Sequence, residues 1–295
     1  MYPMRISVDG HEISVIASDG YDIKPYSAES VIVQPGERFD FILNANKTID
    51  NYWIRAESIE EGSSKNEPTT IKQLCLKESS CKVVNCPFKY FPEHLNLDCV
   101  LMSDLHNADE EDPFPIFTAD SKEDFLNFAF PRGKETPGSV NGRKFEFPGV
   151  NSLTQGDEID GYDCKEHDCG PDKVCYCHYE LKIPHDKTIQ MIFTNIGIGA
   201  GWGHPIHLHG HSFYVLKMDY APQNISTAKL INSTENKDID CGFGLNFCNE
   251  PKWKNKQWDN GIIPGLNLID PPRKDTIIIP AGIYFMSIAY NFNIT

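Results

Sequence analysis

The chain has 295 residues, 40% of them apolar, 11% aromatic and 23% charged, with 27 Lys and Arg against 42 Asp and Glu for a formal charge of −15. This composition fills the core of one or two globular domains and excludes a disordered chain. The acidic excess, with no Lys/Arg stripe interleaved with aromatics, excludes nucleic acid as a partner, and no apolar run reaches the roughly 18 residues of a spanning helix, so no membrane span is expected.

Between residues 4 and 56 short apolar runs alternate with polar positions: Ile6-Ser7-Val8, Ile13-Ser14-Val15-Ile16, Val31-Ile32-Val33, Phe39-Asp40-Phe41-Ile42-Leu43 and Tyr52-Trp53-Ile54. Asp9-Gly10, Asp19-Gly20 and Pro35-Gly36 punctuate them. Period-two runs with turn signals about every ten residues predict antiparallel strands of a sandwich. Such strands bury their inner face only against others, and these are too few for a whole sandwich, so partner strands are expected upstream of Met1. From 57 to 116 the chain is polar and cysteine-rich, and Asn107-Ala108-Asp109-Glu110-Glu111-Asp112-Pro113 reads as an exposed acidic linker. Strand patterns resume at Phe125-Leu126-Asn127-Phe128-Ala129-Phe130, Thr188-Ile189-Gln190-Met191-Ile192-Phe193, Ser212-Phe213-Tyr214-Val215-Leu216, Thr276-Ile277-Ile278-Ile279 and Ile283-Tyr284-Phe285-Met286-Ser287-Ile288. The expected organisation is all-β: a first β region with a cysteine-rich extension over 1–95, an acidic linker over 96–116 and a second β domain over 117–295.

Ten cysteines contain no C-x-x-C pair. Disulfides fit that spacing better than zinc or dithiol chemistry, although Cys164-x4-Cys169-x5-Cys175-x-Cys177-His178 leaves a zinc knot as the weaker alternative. Asn46, Asn224, Asn232 and Asn293 each open an Asn-x-Ser/Thr sequon. Together these predict an oxidising, secreted or extracellular setting. The opening residues MYPMRISVDG carry no charged n-region or apolar h-region, so they are not expected to form a signal peptide and residue 1 is expected not to be the natural start.

The sharpest feature is Gly203-His204-Pro205-Ile206-His207-Leu208-His209-Gly210-His211-Ser212-Phe213, where four of the ten histidines fall within eight residues. A solvated loop or satisfied core histidines explain one or two such residues; four point to metal. In extended chain, side chains alternate faces. His207, His209 and His211 are therefore expected on one face and His204 on the other, with Pro205 bending the chain between, so that one segment serves two metal centres. Gly199, Gly201, Gly203 and Gly210 allow close backbone approach there, or simply a flexible loop. Imidazole suits copper, zinc, iron and nickel, with copper(II) bound most tightly among the divalent first-row ions.

The motif H-P-I-H-L-H-G-H-S-F resembles the third copper-binding motif of the multicopper oxidases, the laccase, ascorbate oxidase and ferroxidase family. Asp9-Gly10-His11, Pro35-Gly36-Glu37-Arg38-Phe39-Asp40 and Asn51-Tyr52-Trp53-Ile54-Arg55 resemble closing strands of that family's second domain. Cys241 to Cys248 with Asn249, Pro264-Gly265-Leu266-Asn267 and Pro271-Pro272-Arg273-Lys274-Asp275-Thr276 resemble the third domain of animal laccase-like members. The resemblance implies cupredoxin-like Greek-key β-sandwiches: the C-terminal part of a second domain, then a third domain stopping short of a final His-Cys-His motif. It implies copper as cofactor, with His204 a ligand of the type 1 copper, His207 of the type 2 copper and His209 of one type 3 copper. His211 has no ligand role by this analogy and is either a group supporting a ligand or a plain structural residue.

The reaction so implied is oxidation of phenols or related substrates (ferrous iron and ascorbate being alternatives), coupled to reduction of dioxygen to water. Three of the family's four short histidine motifs are missing, and no other H-x-H occurs. The isolated chain is therefore expected to be inactive until missing parts of the same polypeptide complete the copper sites. The alternative class is a non-enzymatic secreted cupredoxin-type binding protein. A cupin site would want Glu where Phe213 stands, Gly197-Ile198-Gly199-Ala200-Gly201-Trp202 breaks the dinucleotide fingerprint at Trp202, and no G-x-S-x-G elbow occurs.

Overall fold

The computed structural model describes residues 3–58, 81–86, 97–110, 121–129, 138–159, 164, 173–184, 187–195, 203–219, 238–242, 248–259, 263–279 and 282–291. The first half contains β1 (Met4–Val8), β2 (Ile13–Ser18), β3 (Tyr21–Ala28), β4 (Ser30–Val33), β5 (Phe39–Leu43), β6 (Ile54–Ser58), β7 (Cys81–Val84) and β8 (Leu97–Val100). The second half contains β9 (Lys122–Ala129), β10 (Ser139–Val140), β11 (Arg143–Phe145), β12 (Cys175–Cys177), β13 (Thr188–Asn195), β14 (His204–His207), β15 (Phe213–Met218), β16 (Ile239–Asp240), β17 (Lys252–Trp253), β18 (Arg273–Lys274), β19 (Thr276–Ile279) and β20 (Gly282–Asn291). Helix among the described residues is confined to short 3-10 turns, so the all-β expectation holds. No described helix is long and apolar enough to cross a membrane.

In the first half, a five-stranded sheet of order β6-β1-β4-β7-β8 accompanies a three-stranded sheet of order β3-β2-β5. Ser18 pairs with Tyr21 across β2 and β3, leaving Asp19 and Gly20 as a two-residue turn with φ of 55° and 87°. Positive φ at both positions is the type I′ hairpin geometry, which the Asp-Gly dipeptide tolerates. Pro35-Gly36 forms a second tight turn, closed by Glu37 N–H donating to Gln34 O at 3.0 Å with Gly36 at φ 88°, the type II pattern of Pro then Gly. Strand β3 had no clear sequence signal because Lys24, Pro25 and Ser27 interrupt it. The strand at the last of these runs begins only at Ile54, not at Tyr52. Trp53 and Ile54 are 73% and 70% exposed beside the open edge that β6 forms.

Part of the 96–116 segment departs from the linker reading. Strand β8 pairs in parallel with β7, a disulfide joins Cys86 to Cys99, and Val100, Met102 and Leu105 are buried in the main core. Their apolar side chains outweigh the polar composition around them. The acidic run from Glu111 onward lies outside the described residues.

The second half is built on an eight-stranded sheet of order β12-β11-β10-β9-β13-β20-β15-β18. Strand β13 is its centre, parallel to β9 and antiparallel to β20. It is buried from Ile189 to Asn195: Ile189, Met191 and Phe193 face the main core, and Ile192 packs on the opposite side with Trp253, Ile239 and Ile263. A strand covered on both faces reads as a continuous apolar run. The main core continues through both halves, joining Val8, Ile13 and Val15 to Phe213, Val215 and Ile277. Disulfides Cys164–Cys177 and Cys241–Cys248 staple the periphery, as the cysteine spacing predicts. Asn46 is exposed, and the other three sequon asparagines lie outside the described residues.

The halves also meet through buried charge. The Lys274 ammonium, fully buried, lies 3.1 Å from Asp19 and 3.7 Å from Glu37, both equally buried. It donates to Ser18 Oγ and sits over the Phe39 ring. Glu37 accepts from Gln34 N–H and from the Asn85 amide. Burial pushes the Glu37 carboxyl up, against the pull of Lys274.

Candidate metal centre

The histidine segment opens on β14, which pairs antiparallel with β19 so that His204 faces Ile279, Pro205 faces Ile278, Ile206 faces Ile277 and His207 faces Thr276. The three isoleucines of β19 are buried and anchor the ladder, while the β14 histidines are exposed. Pro205 is tolerated because, among the described residues, β14 is paired on one side only. Strand alternation then puts His204 and His207 on opposite faces. A Cβ on Gly203 would press on Ile278 at 3.2 Å, so glycine permits the close approach there. Gly199 and Gly201 lie outside the described residues.

Strand β14 ends at His207, and its pairing with the Asp275 side reaches one residue further before the chain turns at His209 and Gly210. Leu208 N–H donates to Asp275 O at 3.0 Å, and Gly210, at φ 71°, turns the chain. His209 lies against His207, with ring centroids 4.9 Å apart and planes at 63°. His211, half-buried, lines a polar cleft of about 390 Å³ with Tyr21, His207, Ser212, Arg273 and Asp275.

His207 is the best-defined imidazole of the group. Its Nδ1 lies 3.0 Å from Asp275 O and 3.0 Å from Thr276 Oγ1. The Asp275 carboxylate takes both arms of Arg38, each at 2.7 Å, the bidentate geometry of a strong charge-assisted pair. Arg38 beside it, with help from the Thr276 hydroxyl, holds the Asp275 carboxyl down at about 2, and the same contact raises the Arg38 guanidinium further above its ordinary value. Arg38 is itself placed by the Asp19-Gly20 turn, with Nη2 donating to Asp19 O at 3.0 Å and the backbone N–H to Asp19 Oδ1 at 2.9 Å. His204 keeps its Nδ1 2.8 Å from Pro205 O.

The described histidines elsewhere are absorbed structurally, while His94, His167 and His185 lie outside the described residues. His11 is buried, with Nδ1 2.8 Å from Asp9 O and its ring edge-on to Tyr52. His106 Nδ1 lies 2.9 Å from Ile269 O, and His178 packs by Phe145 and Glu180. Among the described residues no group of three or more His, Cys, Asp or Glu side chains converges on one ion. The donor chemistry at β14 fits copper, because exposed imidazoles with an anchored Nδ1 are its preferred nitrogen ligands. They would hold it as partial sets, with His207 and His209 adjacent and His204 turned away.

Sequence reasoning gave Arg38, Asp275 and Thr276 no part in the metal centre and Asp19 only a place in a turn. The one signal pointing at them was Lys274-Asp275-Thr276 set directly before the apolar run Ile277-Ile278-Ile279, where charge at the mouth of a buried strand requires a partner.

Two family models, each described as multicopper oxidase, match residues 3–79 and 151–293. Laccase-2 of Fomitopsis schrenkii is 29% identical over 220 residues, covering 72% of this chain and 39% of its own length. The laccase of Pycnoporus cinnabarinus is 27% identical over 230 residues, covering 72% of this chain and 38% of its own. The chain thus spans about two fifths of the curated relatives it matches. In fold it resembles Fet3p, a multicopper oxidase that functions in iron import, at TM-score 0.57 and 12% identity, over 98% of this chain and 48% of that one. It also resembles the laccase of Botrytis aclada, at TM-score 0.52 and 16% identity, over 98% of this chain and 44% of that one.

Proposed function

The chain belongs to the multicopper oxidase family, and from that membership we propose that it forms part of a laccase-like copper oxidoreductase that couples one-electron oxidation of phenols or related reductants to reduction of dioxygen. Four substrate molecules each lose one electron and one proton, and one dioxygen takes up four of each to give two waters. Copper, when bound, supplies the one-electron couple.

The observation that carries this reading is the disposition of the histidines along one short segment: His204 on one face of β14, His207 on the other with the His209 ring edge-on to it. His204 is assigned to the type 1 copper that accepts electrons from substrate. His207 is assigned to the type 2 copper and His209 to a type 3 copper, at the oxygen-reducing centre. Three residues of extended chain span about 10 Å, so a single short segment addresses two separate centres. The division into parts of a second and a third cupredoxin domain, at 1–95 and 117–295, is supported by the two matched spans falling on either side of 96–116. An extracellular site of action is supported by the disulfides. The animal-type character rests on the Cys241–Cys248 loop and on Pro271-Pro272-Arg273-Lys274-Asp275-Thr276.

The test is copper loading of the purified chain, followed by electron paramagnetic resonance, visible absorption and oxygen uptake with a phenol. Nitrogen-ligated copper(II) is expected, with no intense blue band and no oxygen uptake, because a blue site needs a thiolate and two imidazoles, a set that does not come together among the described residues. Oxygen uptake by the chain alone would overturn the incomplete-site reading. Absence of nitrogen-bound copper would overturn the ligand assignment.

A further inference from the structure

We propose that Arg38, Asp275 and Thr276 are positioning residues that hold the His207 imidazole as its Nδ1–H tautomer, so that Nε2 presents the lone pair to a metal. The inference rests on the reading of His207 as a ligand. It deepens that reading by assigning control of the ligand to Arg38, which stands 169 positions earlier in the chain.

The donor and acceptor inventory dictates the assignment. A guanidinium only donates, and Arg38 gives Nη1–H to Asp275 Oδ1 and Nη2–H to Oδ2, both at 2.7 Å, so both carboxylate oxygens accept. The Thr276 hydroxyl, 2.7 Å from Asp275 Oδ1, has one hydrogen, and that hydrogen points at the carboxylate. Thr276 Oγ1 therefore faces His207 as an acceptor. The second neighbour of Nδ1, the Asp275 carbonyl at 3.0 Å, can only accept. Two acceptors on one ring nitrogen require that nitrogen to carry the proton, and in the neutral ring Nε2 is then left unprotonated.

The backbone of this acceptor pair is fixed from the other half of the chain as well. Asp19 Oδ2 accepts from Thr276 N–H at 3.1 Å and from Asp275 N–H at 3.3 Å. The Asp19-Gly20 turn thus sets both the Asp275 carbonyl and, through Arg38, its carboxylate. Release of Arg38 would free the carboxylate to rotate and let the Thr276 hydroxyl turn its hydrogen toward Nδ1, which would favour the opposite tautomer.

The experiment is long-range proton–nitrogen correlation NMR of the metal-free, nitrogen-15-labelled chain at mildly alkaline pH, with Arg38→Gln, Thr276→Val and Thr276→Ser beside the native sequence. The native chain and Thr276→Ser are expected to show His207 as Nδ1–H. Arg38→Gln and Thr276→Val are expected to lower the ratio of that tautomer about tenfold, the size of one hydrogen bond lost. His106, whose Nδ1 meets the Ile269 carbonyl, serves as the unchanged internal control in all four. A native His207 found as Nε2–H, or a tautomer ratio indifferent to Arg38→Gln and Thr276→Val, overturns the proposal. Arg38 is half exposed, so a folded Arg38→Gln chain is expected even where the more buried Thr276→Val fails. Copper titration of the same samples separates the two levels. The expected Nδ1–H tautomer without copper at His207 refutes the ligand reading alone, and copper at His207 with the wrong tautomer refutes the positioning alone.

Discussion

Replacing Lys274 by Met removes the only cation that touches both Asp19 and Glu37 among the described residues. At an effective dielectric constant of about 20, separations of 3.1 Å and 3.7 Å correspond to attractions of about 5 and about 4.5 kcal/mol before desolvation. Stranding a buried charge by deleting its partner costs about 3–5 kcal/mol. Asp19 retains the N–H groups of Arg38 and Thr276, so Glu37 bears most of the loss. Its carboxyl is already raised by burial, and Lys274 is the main opposing influence. A carboxyl whose native pKa exceeds its unfolded value keeps its proton longer in the native state, so stability falls as pH rises through that window. Lys274→Met widens the window upward. Urea unfolding followed by tryptophan fluorescence is therefore expected to show a loss of about 3–5 kcal/mol at pH 7.5 and a loss at least about 1 kcal/mol smaller at pH 5, with Glu37→Gln in the same chain recovering much of it. A loss below about 1 kcal/mol, or one equal at both pH values, would refute the reasoning.

Three further outcomes follow from separate features. Replacing Cys164 and Cys177 together by Ser opens a loop with a sequence separation of 13 and is expected to cost about 3 kcal/mol, measured by urea unfolding under non-reducing conditions. Gly142→Ala places a side chain at φ 71° and into Asn249, which donates to Lys173 O; a loss of about 1–3 kcal/mol is expected in thermal unfolding, whereas Gly20→Ala, with nothing near its Cβ, meets only the backbone strain. Arg38→Gln is expected to return Asp275 from about 2 toward its ordinary value of 3.8. A depressed carboxylate stabilises above its unfolded pKa and loses that contribution as pH falls through the folded one, so the variant's stability should drop less steeply than the native chain's between about pH 4 and pH 2 in acid titration followed by circular dichroism.

Much of this architecture is legible in the residues because strand period and turn chemistry are local. Asp19-Gly20 and Pro35-Gly36 announce their turns, and β2, β5, β9, β13, β15 and β19 follow visible apolar runs. Strand β3 was hidden because its buried residues, Ile23 and Ala28, are separated by a polar stretch. Residues 97–105 were misread because their burial depends on pairing with β7 and on the Cys86–Cys99 bond. At the site, composition showed the histidines and alternation showed that His204 and His207 diverge. It could not show that the chain turns at His209 and Gly210, just beyond the bond that Leu208 N–H gives to Asp275 O. Nor could it show that Arg38 reaches Asp275, because that contact exists only once the two halves pack.

The central claim is that the β14 histidines, and not the scattered ones, bind copper, with His204 separate from His207 and His209. Substoichiometric copper(II) added to the labelled chain broadens the NMR signals of imidazoles within reach of the ion, so the order of disappearance reports the ligands. The account predicts that His207 and His209 fade together, His204 fades at its own copper ratio, and His11, His106 and His178 persist. Equal or earlier loss of the scattered histidines, or survival of His207 through saturation, would contradict it.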